Sequence, residues 1–256
     1  MHALVILPTY NEAESLSKAL DLVLSNEPRA DVLVVDDNSP DGTGAIADAR
    51  SSRDPRVHVL HRVGKEGLGA AYRAGFRWGL ERGYPAMVEM DADLSHPADR
   101  LPALLDALTG SDVAIGSRYV PGAGTRNWPL LRQLISRGGN TFVRLALRLP
   151  VHDATAGYRA YRRATVQALL AAGLQSEGYC FQVESTHLAW QLGFSIAEVP
   201  IVFTERESGT SKMSSGIVVE ALARVSLWAF TGGRRRPRRA HPSSLRSTAQ
   251  PLGVSS

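Results

Sequence analysis

Short apolar runs alternate with amphipathic segments through the first half of the chain, and this alternation restricts the possible folds more than any other feature. The runs lie at residues 3–7, 31–35, 57–60, 86–90 and 112–117, each about the length of a buried strand. The segments between them read as helices: near 13–25, where Leu16, Leu20, Val23 and Leu24 share a face, near 45–50, up to residue 82, and over 97–108. Strands that recur with a helix between them need crossover connections. The expected fold is therefore α/β, a mostly parallel sheet flanked by helices on both faces. Such sheets bind ligands beyond the carboxyl ends of their strands. Residues 8–12, 36–41 and 91–95 and Arg118 are four polar clusters at those ends.

The cluster after the fourth run carries the most chemistry. In Val88-Glu89-Met90-Asp91-Ala92-Asp93-Leu94-Ser95-His96 an extended segment would turn Asp91 and Asp93 to one side. Two carboxylates and the Ser95 hydroxyl form an oxygen set suited to magnesium or manganese, ions that complete their shell with water and substrate phosphates. The same residues also make an ordinary strand-end turn, because Asp is a loop residue. Gly64-Lys65-Glu66-Gly67-Leu68-Gly69 lacks the Gly-Lys-Ser/Thr ending of a phosphate loop and reads as a loop and helix start. His58, His61, His152 and His187 lack metal-ligand spacing, whereas His96 is placed to orient the acidic loop.

The second half changes character. Residues 130–149 are helix-rich, with Arg132, Arg137, Arg144 and Arg148 at intervals. A strand is expected over 157–163, a helix over 180–192, a strand over 196–204 and a last amphipathic helix over 214–230. Residues 231–256 contain six Arg and no acid, while the other 230 residues hold 23 bases against 25 acids. The net charge of +4 thus belongs to a basic tail without periodicity, expected to be disordered. The acidic body has no nucleic-acid reading motif, so no nucleic-acid partner is expected. Behind the last helix, the tail is either solvated or seated on an anionic leaflet. Cys180 is the sole cysteine, which fits a reducing cytosol. The N-terminus reads as a strand and not as a signal peptide. No stretch free of Lys, Arg, Asp and Glu exceeds 13 residues, too short for a membrane-spanning helix.

Seven blocks, in order, carry a resemblance. They are Pro8-Thr9-Tyr10-Asn11-Glu12, Val35-Asp36-Asp37-Asn38-Ser39-Pro40-Asp41-Gly42-Thr43, Met90-Asp91-Ala92-Asp93-Leu94-Ser95-His96-Pro97, Gly116-Ser117-Arg118-Tyr119, Ser136-Arg137-Gly138-Gly139-Asn140, Asp153-Ala154-Thr155-Ala156-Gly157-Tyr158-Arg159 and Arg206-Glu207-Ser208-Gly209-Thr210-Ser211-Lys212-Met213. Together they resemble glycosyltransferase family 2, and within it the dolichyl-phosphate or polyprenyl-phosphate mannose synthases. The resemblance implies a GT-A (Rossmann-like) domain over 1–230, with a nucleotide-sugar half (1–117) and an acceptor half with a closing loop (118–230). It implies inverting transfer of mannose from GDP-mannose to a polyprenyl monophosphate, with a divalent metal. UDP-glucose or another nucleotide sugar is the alternative donor.

By position, Pro8, Tyr10, Glu12, Val35 and Asp37 would bind the guanosine half. Asp91, Ala92 and Asp93 would line the diphosphate and sugar, with Asp93 and Ser95 near the metal. Arg118, Arg132 and Ser136 would meet the acceptor phosphate, and Arg206 and Lys212 would close over the donor. Asp91, Asp93 and Arg118 are the expected catalytic residues. The membrane-spanning helices of some members have no counterpart here. The implied location is peripheral, on the cytosolic face of a membrane, and a membrane-embedded partner subunit stays open. A phosphate monoester has a second pKa of about 6 and is largely dianionic at neutral pH, so no general base is needed. Planar arginine forks suit its oxygens. Arg137 either joins them or lies on a solvated face, and Glu184 is left a structural or positioning role. One direct displacement inverts the anomeric carbon.

Overall fold

Side chains two residues apart on the first strand divide between two hydrophobic cores. In β1 (Ala3–Thr9), Ala3, Val5 and Leu7 pack on one face of the sheet and Leu4 and Ile6 on the other, all fully buried. A strand buried on both faces must be covered on both. On the first face lie α1 (Leu16–Asn26) and α4 (Leu101–Ala107). On the second lie α3 (Leu68–Glu81), α6 (Arg163–Ala171), α7 (Gly178–Gln191) and the inner side of α5 (Leu130–Leu147). Helix α3 approaches closely because Gly75 and Gly79 face β1: a Cβ on Gly75 would lie 2.6 Å from Ile6 Cγ2. The computed structural model describes residues 1–205 and 224–229; the latter are helical and bury Val225 in the second core.

The remaining strands are β2 (Ala30–Asp36), β3 (Val57–His61), β4 (Ala86–Glu89), β5 (Val113–Ser117), β6 (Gly124–Arg126), β7 (Arg159–Arg162), β8 (Ile196–Pro200) and β9 (Val202–Thr204). Helix α2 (Thr43–Ser51) links β2 to β3. The main sheet has the order β3-β2-β1-β4-β7-β5-β8. Every neighbouring pair in it is parallel except those of β7, which runs against both β4 and β5. The mostly parallel α/β architecture is the one expected. Because β7 is reversed, its start lies beside the carboxyl end of β4, Arg159 pairing with Glu89. The loop before β7 therefore arrives at the edge where the polar clusters gather.

Three expectations need correction. The strand expected over 157–163 starts at Arg159 and gives way at once to α6. The strand expected over 196–204 is two strands: β8 stays in the main sheet, while β9 leaves it to pair with β6. The break falls at buried Ile201, whose N–H donates to Ser117 O (3.0 Å) and whose carbonyl accepts from Gly124 N–H (3.0 Å). Finally, β4 ends at Glu89, before both aspartates. Asp91 and Asp93 sit on a bent loop with Leu94 at φ 64°, so strand alternation does not govern them. Of the helix expected over 214–230, only 224–229 lie among the described residues. The tail, Arg206 and Lys212 lie outside them. No helix among the described residues is long and apolar enough to cross a membrane.

Candidate active site

Parallel strand ends expose backbone groups and short loops at one edge, and here those loops fasten to one another. At the end of β1, Thr9 Oγ1 donates to Asp36 Oδ1 (3.0 Å), and Asp37 N–H donates to Thr9 O (3.1 Å). The Glu12 N–H donates to Thr43 Oγ1 (3.0 Å) and the Ala13 N–H to Asp41 Oδ2 (3.1 Å). Pro8, Tyr10, Glu12, Val35 and Asp37 thus share the adjoining ends of β1 and β2, Pro8 opposite Val35 in register. The Lys65 ammonium lies 4.0 Å from the Tyr10 ring centroid, which brings the glycine-rich loop to the same end.

Asp37 is paired with Arg62, Nη1 to Oδ1 at 2.7 Å. Burial pushes the Asp37 carboxyl above its usual range, against the pull of that guanidinium. Sequence alone gave no role to Arg62. Its position one residue beyond β3, next to His61 opposite Asp36, is the signal available.

The acidic loop is held from three sides. Asp91 N–H donates to His96 Nδ1 (3.2 Å), and the buried Tyr72 hydroxyl donates to Asp91 Oδ1 (3.3 Å). Asp93 Oδ1 accepts from both the backbone (3.1 Å) and hydroxyl (2.5 Å) of Ser95. Thr204 N–H in β9 donates to Ser95 O (3.2 Å). His96 thus orients the loop as its place after it suggested. Among the described residues no three acidic, histidine or cysteine side chains converge into a self-sufficient metal cage. The donors on this loop are carboxylate and hydroxyl oxygens, which fits a hard cation that takes its other ligands from water and phosphate. At the end of β4, just before this loop, Glu89 is fully buried; desolvation pushes its carboxyl up to about 7 despite the nearby Arg159 guanidinium.

The acceptor-side residues gather as well, in a form the sequence does not disclose. Arg118 forks onto Asp153, Nε to Oδ2 and Nη2 to Oδ1 both at 2.7 Å, and its backbone N–H joins Oδ2 at 3.0 Å. Arg118 Nη2 also reaches Thr155 Oγ1 (2.8 Å). A guanidinium expected to meet phosphate is therefore already engaged by a buried carboxylate. The Arg132 side chain pairs with Glu205 and lies 4.2 Å from the Trp128 ring centroid. Ser136 Oγ accepts from Tyr119 Oη (2.6 Å), and the Arg137 guanidinium is 5.8 Å from the Tyr119 ring. Glu184 Oε2 accepts from the N–H groups of Gln175 (3.1 Å) and Ser176 (2.7 Å), a structural role.

One aromatic side chain joins the two halves. The Phe203 ring lies 5.4 Å from the His96 ring and 5.4 Å from the Trp128 ring, with the Arg118 Cζ 5.8 Å away. The acidic loop and the arginine cluster therefore wall one edge of the sheet. Neither Trp128 nor Phe203 stands out in the sequence, since a single aromatic is most often core.

Comparison with known proteins places the chain in a family. Residues 4–170 match the profile of Glycosyl transferase family 2. A polyprenol monophosphomannose synthase of Mycolicibacterium smegmatis is 54% identical over 237 residues, 92% of this chain and 89% of that protein. An undecaprenyl-phosphate mannosyltransferase of Micrococcus luteus is 55% identical over 228 residues, 89% of this chain and 94% of that protein. Among solved structures, a mannosyltransferase of Pyrobaculum calidifontis in complex with GDP-Man and Mn2+ is 17% identical with a TM-score of 0.57, over 93% of this chain and 65% of that one. At that identity the likeness speaks for the fold.

Proposed function

The chain belongs to glycosyl transferase family 2, and on that footing we propose that it transfers mannose, with inversion, from GDP-mannose to a polyprenyl monophosphate. Mannose and the lipid acceptor are supported by the names of two relatives, each more than half identical over about nine-tenths of this chain. The observation that carries a shared site is the Phe203 ring, in contact with His96 behind Asp91 on one side and with Trp128 and Arg118 on the other.

Residues 1–230 act as one catalytic unit, with 231–256 outside it. Pro8, Tyr10, Glu12, Val35 and Asp37 hold the guanosine half, and Asp91, Ala92 and Asp93 line the diphosphate and sugar. Asp93 and Ser95 would hold the divalent cation, magnesium or manganese, which when bound neutralises charge on the departing diphosphate. Arg118, Arg132 and Ser136 receive the acceptor phosphate. For Arg118 this means a second set of contacts beside Asp153, and the Asp153 fork fixes its plane. A guanidinium locked by a buried partner loses little freedom when an anion arrives. Arg206 and Lys212 are assigned the closing loop over the donor. The acceptor oxygen is already deprotonated near neutral pH and attacks the anomeric carbon from the face opposite the nucleotide. The reaction is assigned to the cytosolic face of a membrane, with the chain peripheral to it.

Radiolabelled GDP-mannose and polyprenyl phosphate, incubated with the purified chain and Mg2+ or Mn2+, tests the proposal. Label is expected in the lipid phase, and none from UDP-glucose under the same conditions. Transfer from UDP-glucose but not from GDP-mannose would overturn the donor assignment.

A further inference from the structure

Two arginines of the acceptor side are held in opposite ways. Arg118 is forked by Asp153; these side chains are 9% and 0% exposed, and three hydrogen bonds join them. Arg132 pairs with Glu205 through Nη1, and those side chains are 23% and 28% exposed. Opening a buried, forked pair is costly, whereas a partly exposed pair contributes little and exchanges readily. The first partner is permanent. The second can be displaced.

The surroundings of Arg132 point to the anion that displaces it. Its guanidinium lies 4.2 Å from the Trp128 ring centroid, and the Arg118 Cζ lies 5.5 Å from the same ring. Both cations thus share one aromatic wall. Arg132 Nε and Trp128 Nε1 are buried and have no hydrogen-bond partner. A buried N–H without an acceptor is costly, so this cluster is short of acceptor oxygens. Glu205 supplies a carboxylate with one negative charge. A phosphate monoester supplies three oxygens and, near neutral pH, close to two charges.

Glu205 also stands at a junction. Its own N–H donates to Arg126 O (3.2 Å), and the preceding Thr204 N–H donates to Ser95 O (3.2 Å) on the loop that carries Asp93. Backbone contacts therefore keep the carboxylate beside Arg132 when the ion pair opens.

We propose that the Glu205 carboxylate is a resident stand-in for the acceptor phosphate: it holds Arg132 in the empty site, yields it to a phosphate monoester and takes it back after transfer. The proposal rests on the acceptor reading given above. As the acceptor oxygen bonds to the anomeric carbon, the bond to the diphosphate breaks and its electron pair leaves with GDP. The monoester is then a diester with a single charge. Such an anion competes less well with the carboxylate, so Glu205 recovers Arg132 and favours departure of the product.

Full-length wild type and Glu205→Gln are titrated calorimetrically with inorganic phosphate and with a short, water-soluble prenyl phosphate, without GDP-mannose. Glutamine keeps the size of the side chain and removes the competing charge. The variant is expected to bind both anions about three- to tenfold more tightly. In the transfer assay it should show a lower KM for the prenyl phosphate and stronger inhibition by the mannosylated product. In an Arg132→Gln background the same substitution should change phosphate affinity by less than about twofold, because no guanidinium is left to contest.

Equal or weaker anion binding by Glu205→Gln would overturn the proposal; weaker binding would mean that Glu205 orients Arg132 for the phosphate. An equal gain in the Arg132→Gln background would also overturn it, since the gain would then come from net charge. Failure of prenyl phosphate to bind either protein, with inorganic phosphate still held more tightly by the variant, would count against the proposed acceptor and leave the exchange standing.

Discussion

Asp93→Asn is expected to slow sugar transfer by roughly 10³-fold while leaving the melting temperature within roughly 4 °C of wild type. Asparagine keeps the shape of the side chain and an oxygen to accept the Ser95 N–H and hydroxyl, so the loop that Thr204 ties to β9 should persist. What it removes is a negative charge on the loop assigned to the cation. The diphosphate would then leave with its charge unbalanced, a penalty felt most in the transition state and so in kcat. Steady-state kinetics at saturating GDP-mannose, alongside thermal melts, checks this. Wild-type kcat in a folded Asp93→Asn protein would remove the residue from the mechanism.

Asp153→Ala should cost more stability than any other change at the site, about 3–5 kcal/mol. The aspartate is fully buried and carries three hydrogen bonds from Arg118; deleting it strands a buried guanidinium. At 2–4 °C per kcal/mol for a chain of this size, the melting temperature should fall by roughly 6–20 °C. The sign of the pH dependence is fixed as well. Burial pushes the Asp153 carboxyl up, but the charge and hydrogen bonds of Arg118 outweigh it and hold the group below its ordinary 3.8. A depressed carboxyl stabilises the fold fully above the unfolded-state pKa and loses that contribution as pH falls through the folded-state value. The gap between wild type and Asp153→Ala should therefore be widest near neutrality and narrow below pH 3.8. Melts from neutral pH into acid measure it; a gap that holds constant into acid would contradict the ion-pair account.

Part of this molecule was legible before folding. The apolar runs of β1 to β5 and the helices between them announce a parallel sheet, because a strand buried on both faces has little room for polar residues. The reversal of β7 was not legible, since strand direction is set by what a strand pairs with and leaves no local pattern. Arg159-Ala160-Tyr161-Arg162 also disguises a central strand. Arg159 is fully buried, and its guanidinium donates to the carbonyls of Ala154, Ala156 and Gln182, contacts made only in the fold. That reversal is what carries Asp153 to Arg118.

The acidic loop and the β1 and β2 ends could be picked out as a site because Asp, Asn, Thr and Ser cluster there. Arg62, Trp128 and Phe203 could not, because each owes its place to a partner distant in sequence. Helix α5 carries apolar residues on two sides, yet only packing decides that Val143 and Leu147 are covered while Leu131 and Leu134 are exposed.

Calorimetric titration of GDP-mannose into wild type and Asp93→Asn, each with Mn2+ and with a chelator, tests most directly whether the Asp93 loop anchors a cation for the nucleotide sugar. Wild type should bind at least about tenfold more tightly with the metal than without it, and Asp93→Asn should bind equally weakly in both. Affinity for GDP-mannose that ignores both the metal and the substitution would contradict the account at its base.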